Sequence, residues 1–346
     1  MDVQTNIVPQ PFVVGRIEFE NRGAAAAVLG QLDTLLMEVE KATPYAKVSP
    51  VAHKLEQEIL AQFDTTTQRV VRKGVATLRK GTGAMDKKEV QRFMSVVGKE
   101  YAKFSPAVQK QVLTAVGAIY DIQRKAMAKG LKIKPTFKLI DKQAKAFMAK
   151  DQMWWIGDFY DSSLSSVLNK RVSQVMLEQG LGRADAAKEL QKTLHKDIMA
   201  GRLPAKVGVP PPGWNSTPQA YFEGLTGNMA SRASGWSALE SMVDAAVERY
   251  RIAAVLDSRT SDVCRTMNGK VFTTAQGTSL RDRIMAAKSP DDIKKIAGWQ
   301  RADEITSKYG VKRGKALTPK QASTMASAGL ALPPYHFRCR STVLPA

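Results

Sequence analysis

Apolar residues recur at i, i+3, i+4 and i+7 in one segment of this chain after another. That spacing gathers them on one face of an α-helix and scatters them across both faces of a strand. Val90, Phe93, Met94 and Val97 hold it; Val108, Val112, Ala115, Val116 and Ile119 repeat it; Leu164, Val167, Leu168, Val172 and Val175 hold it again. Leu239, Met242, Val243, Ala246, Val247 and Tyr250 carry the stripe to i+11 and predict a long helix that reaches Tyr250. Further helices are expected over 23–41, 51–63 and 186–194, with Thr65-Thr66-Thr67 breaking the pattern after the second. Pro106 falls in the first turn of its helix, where a missing N–H costs nothing. Gly180-Leu181-Gly182 supplies a helix stop. The fold class expected is mostly α, with helical N-terminal and middle regions.

The chain has 346 residues and is 44% hydrophobic, enough to bury a core and to exclude wholesale disorder. Mean hydropathy is −0.25 and no run of about 18 apolar residues occurs, so no transmembrane helix is expected. No basic segment leads into an apolar one at the N-terminus, so no secretory signal is expected. Two cysteines exclude a disulfide scaffold and fit a reducing cytosol. Three regions are read: an arm and helix over 1–45, a basic helical region over 46–145, and a C-terminal domain over 146–346. The last contains a Pro/Gly-rich connector at 201–218. The dense stretch Phe147, Met148, Trp154, Trp155, Ile156, Phe159 and Tyr160 is read as core or interface rather than as a stacking platform for bases.

Charge is distributed unevenly. Residues 1–64 hold 5 Lys+Arg against 9 Asp+Glu, residues 65–150 hold 20 against 5, and residues 151–346 hold 27 against 18. The middle region therefore carries +15 of a net +20, more than solubility needs, and points to a polyanion. Arg69, Arg72, Lys73, Arg79, Lys80, Lys87, Lys88, Arg92, Lys99 and Lys103 are expected on solvent faces of its helices as contacts to DNA phosphates. No zinc-finger, helix-turn-helix or RNA-binding aromatic motif accompanies them, so the contact is read as sequence-independent double-stranded DNA binding.

Both cysteines and one of three histidines lie in two compact stretches. The first runs from Asp257 through Arg259, Thr260 and Cys264 to Gly269, Lys270, Val271 and Phe272. The second runs from Pro333-Pro334 through His336 and Cys339 to Arg340. Asn268-Gly269 marks a turn, Lys270–Thr274 a short strand, and Ser341–Leu344 a strand able to pair with it. Such pairing gathers Cys264, His336 and Cys339 at one end of a small sheet, in a C-terminal α+β domain. Thiolate and imidazole ligands suit a structural zinc, with Asp262 or Asp257 as a fourth ligand. A Cys264–Cys339 disulfide and a metal-free packed cluster are the alternatives.

These two stretches resemble the C-terminal domain of the phage Mu F-like minor head proteins, the phage head morphogenesis family. The helical lead-in around Gln179–Leu190 is similar too, and the likeness spans roughly 150–346. Members often carry a further cysteine where this chain has Ser261, and end Cys-Arg-Cys where it has Cys339-Arg340-Ser341. The segment of about 273–332 reads as an insertion with its own helices at Ser279–Ala287 and Asp291–Ile296. The resemblance implies a non-enzymatic virion component made in the host bacterial cytoplasm and carried into the head interior or portal vertex. Its implied partners are the portal protein, the capsid interior and packaged DNA, with no membrane in the assembled head. The competing reading is a DNA-acting enzyme, nuclease-like or toxin-related, built on such a domain. Against it, Asp64, Asp86, Glu89, Glu100, Asp121 and Asp141 form no tight catalytic motif, and His53 and His195 stand isolated in sequence.

Overall fold

In a computed structural model, the structure describes residues 44–82, 85–158, 164–201 and 217–346. The expected arm over 1–22, the helix over 23–41, Phe159, Tyr160 and most of the 201–218 connector lie outside the described residues. The protein is mostly helical with one small antiparallel sheet near the C-terminus. Helices α1 (Pro44–Lys80), α2 (Lys87–Tyr101), α3 (Phe104–Gly130) and α4 (Leu139–Asp158) come first. They are followed by α5 (Ser165–Ser173), which runs into one π turn at Gln174–Glu178, then α6 (Arg183–Met199) and α7 (Pro218–Asp244). The C-terminal part is β1 (Arg249–Ala253), α8 (Asp262–Met267), β2 (Val271–Thr273), α9 (Thr274–Met285), α10 (Pro290–Ala297), α11 (Ala302–Tyr309), α12 (Pro319–Ser327) and β3 (Thr342–Pro345).

The apolar stripes become the core faces. Val90, Phe93 and Val97 of α2 are buried, as are Val108, Val112, Ala115, Val116 and Ile119 of α3. Asp86 caps α2 by accepting from the Glu89 backbone N–H at 3.0 Å. Phe147, Met148 and Ile156 are buried, in keeping with the core reading of that stretch. Helix α7 is buried on nearly every side, from Phe222 through Ala233 and Trp236 to Met242, its apolar residues interleaved with small serines and glycines, and it lies at the centre. Thr217 caps it and Pro218 opens it, with α1, α3 and α4 packed on it.

Three expectations are corrected. Thr65-Thr66-Thr67 does not break a helix: α1 runs through it. Thr65 Oγ1 donates back to the Ala61 carbonyl at 2.9 Å, and buried Thr67 shares a hydrogen bond with the Tyr101 hydroxyl at 3.0 Å. Tertiary packing outweighs a propensity deficit of a few tenths of a kcal/mol per residue. The long helix stops at Asp244 rather than Tyr250. Ala246 turns the chain at φ 52°, and Tyr250 returns to the core from a strand. Third, Ser341–Leu344 does not pair with the strand after Gly269. The sheet order is β2-β1-β3, with Tyr250 opposite Phe272 and Ile252 opposite Val343. β1, the central strand with Tyr250 and Ile252 buried, finds ladder partners on both edges in the two flanking strands.

The boundary expected at 145/146 falls inside α4, and residues 44–346 form one compact unit. The insertion joins the core: α9 packs on α7, where Arg281 meets Glu240 at 2.5 Å.

Candidate metal centre and cationic face

Helix α8 begins at an N-cap, Ser261, whose hydroxyl accepts from the Cys264 N–H at 3.2 Å. This places Cys264 on the inner side of the first turn. The chain returns at Pro333–Arg340, where the Cys339 N–H donates to the Asn228 side-chain oxygen of α7 at 3.3 Å. Phe337 packs against Gly224 of α7, where a Cβ would stand 2.0 Å from the ring. Arg340 then closes on Asp257 at 2.5 Å, and Asp257 also accepts from Thr260 and from the Arg259 N–H. Arg340 holds the Asp257 carboxyl well below the ordinary carboxylate range. Arg265 anchors the same loop through the Asp257 and Thr260 carbonyls. Lys270 is buried and donates its amine to the Lys312 and Lys315 carbonyls, tying the insertion to this corner.

The expected meeting occurs. Cys264 Sγ lies 3.1 Å from His336 Nε2 and 3.7 Å from Cys339 Sγ, and the three ligand atoms fall within 4.8 Å of one another. Both cysteines are free and buried. The His336 Nδ1–H donates to the Phe337 carbonyl at 2.6 Å, an assignment that follows because a carbonyl can only accept. In the neutral ring Nε2 then carries the lone pair, and it faces Cys264. Hydrogen bonding from the Cys339 thiol, and then from the Ser341 and Ser261 hydroxyls, outweighs burial and draws the Cys264 thiol down to about 6. Burial, reinforced by that neighbouring thiolate, pushes Cys339 up.

This donor set could hold a metal ion. Two thiolates at about 2.3 Å from a tetrahedral zinc stand roughly 3.8 Å apart, close to the sulfur separation here. Asp262 does not join the group: it is exposed, in the outward-facing first turn of α8. Asp257 is committed to Arg340. Beside the three ligands stand two hydroxyls instead, Ser261 at 2.8 Å from His336 Nε2 and Ser341 at 3.2 Å from Cys264 Sγ. These are the two positions where the resembled family often has cysteine. That contrast was the available sequence signal for their place in the cluster.

Of the ten cationic candidates, nine are exposed and Arg69 is half-buried. Arg69, Lys73 and Lys103 converge on buried Glu100, at 3.9, 2.7 and 2.9 Å. Hydrogen bonds from Lys73 and Lys103 hold the Glu100 carboxyl down at about 2. Arg92 pairs with Glu89, and Arg79 donates to Gln191 of α6 at 2.7 Å. Arg72, Lys80, Lys87, Lys88 and Lys99 have no carboxylate partner among the described residues. The carboxylates weighed for a nuclease are dispersed: Glu89, Glu100, Asp121 and Asp141 each hold a cation. Among the described residues, Cys264, His336 and Cys339 are the one group of three or more His, Cys, Asp or Glu residues placed to share an ion. No helix among the described residues is long and apolar enough to cross a membrane.

No protein-family profile, no curated protein and no solved structure matches this chain.

Proposed function

We propose that this chain is a non-enzymatic minor head protein of a phage, of the Mu F-like class. It is made in the host cytoplasm and carried into the head interior or portal vertex. There it associates with the portal protein and the capsid interior, and contacts packaged double-stranded DNA without reading its sequence. One observation carries the reading. The two stretches that bear the resemblance, 257–272 and 333–340, close on each other through Asp257–Arg340 and around Cys264, His336 and Cys339. The cationic face of α1 and α2 supports the DNA arm, because neutralising phosphates releases condensed counterions. The cluster is proposed to bind a structural zinc that closes the tail onto α8.

Two measurements test these readings. Mass spectrometry of purified particles is expected to find the chain at few copies relative to portal; particles that assemble without it overturn the virion role. Elemental analysis of the purified chain is expected to give about one zinc; less than about 0.2 per chain rejects the structural zinc, which binds stoichiometrically where it closes a fold.

A further inference from the structure

The ten cations cease to be equivalent once their partners are named. Glu100 and Glu89 absorb four of them, and Arg79 is occupied with Gln191. Of the five left without a carboxylate partner among the described residues, Arg72 faces a concave wall where α1 packs on α6, beside Arg69, whose contact with Glu100 is the longest of the four at 3.9 Å. A cleft of about 570 Å³ opens there, lined by Thr65, Gln68, Arg69, Val71, Arg72, Gln191 and His195. No acid lines it. Asp64, the carboxylate beside it, is held by Gln68 at 2.7 Å and by His195 at 2.6 Å. Arg69 and Arg72 stand at i and i+3 on one helix, where like charges repel, and only Arg69 reaches a carboxylate, at 3.9 Å. With its oxygen accepting from Arg79, Gln191 keeps its amide N–H₂ as a donor.

We propose that this α1–α6 cleft is where the sugar–phosphate backbone of bound DNA seats, with Arg69 and Arg72 as its phosphate forks and Gln191 and His195 as its far wall. The proposal rests on the DNA-contact reading above and adds to it a place. The chemistry fits: a guanidinium presents a planar fork that matches phosphate oxygens two at a time, and an anion between the two arginines relieves their mutual repulsion. It also recruits α6, which lies outside the strongly basic region of the sequence, to the binding surface.

The test is fluorescence anisotropy of the full chain with a labelled duplex of mixed sequence, from 50 to 200 mM salt. R69Q/R72Q is expected to bind about tenfold or more weakly, with the slope of log affinity against log salt reduced by about two. R72Q, whose side chain pairs with no carboxylate among the described residues, is expected to reduce the slope by about one, and it serves if the double variant folds poorly by circular dichroism. K87Q/K88Q, two exposed cations outside the cleft with no carboxylate partner among the described residues, is expected to change affinity less than R69Q/R72Q does. If K87Q/K88Q matches the arginine variants, or R72Q binds as the parent does, the cleft is rejected while DNA binding stands. If the parent itself fails to bind duplex at 50 mM salt, the DNA reading falls and the cleft with it.

Discussion

His336 has little freedom. Its Nδ1 is committed to the Phe337 carbonyl, so the nitrogen that can accept a proton or a metal points at Cys264. Asp262 is one residue from the Ser261 cap and two from Cys264, yet the first turn of α8 directs it to solvent. C264S and H336A are therefore each expected to lower bound zinc below about 0.2 per chain, while D262A retains it; loss of zinc in D262A would contradict this ligand set. The cluster was legible because its residues sit in two tight motifs. Spacing alone makes Asp262 a ligand candidate, because it does not say which way a helical turn faces, and Ser261 and Ser341 carry no ligand signature of their own. A second residue-scale expectation concerns Glu100. Its folded carboxyl is held at about 2 against an ordinary 4.5, so it stabilises the folded state fully above about pH 4.5. That contribution fades as pH falls from 4.5 through 2, because the unfolded chain takes up the proton first. Melting temperatures measured from pH 6 to pH 2 are expected to fall less steeply in E100Q than in the parent; parallel curves would remove Glu100 from this role.

At the scale of elements, apolar period located most helices, and packing decided their ends. The period-3.6 stripe was faithful inside α2 and α3, where one face meets the core. It failed at Ala246–Tyr250 because a strand of alternating burial, with Tyr250 and Ile252 inward, happened to continue the helical count. It failed differently at Thr65–Thr67, where the hydroxyls of α1 found partners that no local pattern displays. Helix α1 holds its place through Phe63, which is fully buried and meets the rings of Tyr101, Phe104 and Phe222 at 5.8, 5.4 and 5.5 Å. That one side chain joins four helices. F63A is expected to destabilise the protein by about 3–5 kcal/mol, as other large-to-small aromatic changes in cores do, and chemical denaturation measures it. A loss under about 1 kcal/mol would mean that α1 is held elsewhere.

Across the whole molecule, the division read from charge is not a division of packing. The basic helices and the C-terminal α+β region share α7, and Arg124 fastens them. Fully buried on α3, it lies 3.2 Å from Asp141 of α4, donates to Ser241 of α7 at 3.0 Å, and meets Asp244 at the last residue of α7 at 2.5 Å. Asp244 precedes β1 by a short turn, so this fork sits where the helical half hands the chain to the sheet that positions Cys339. Charge composition says nothing of which faces are apolar, so neither the change in charge near 150 nor the boundary expected at 145/146 coincides with the end of a helix. If the fork joins the halves into one cooperative unit, far-ultraviolet ellipticity, which follows the helices, and the fluorescence of the five tryptophans should give coincident unfolding curves. R124M keeps much of the volume but takes the cation from buried Asp141, while Asp244 keeps Lys138; a buried pair that loses one partner costs about 3–5 kcal/mol. Both curves are expected to shift together in that variant. Separate midpoints in the parent, or a shift in one signal alone, would show two folding units meeting at α7.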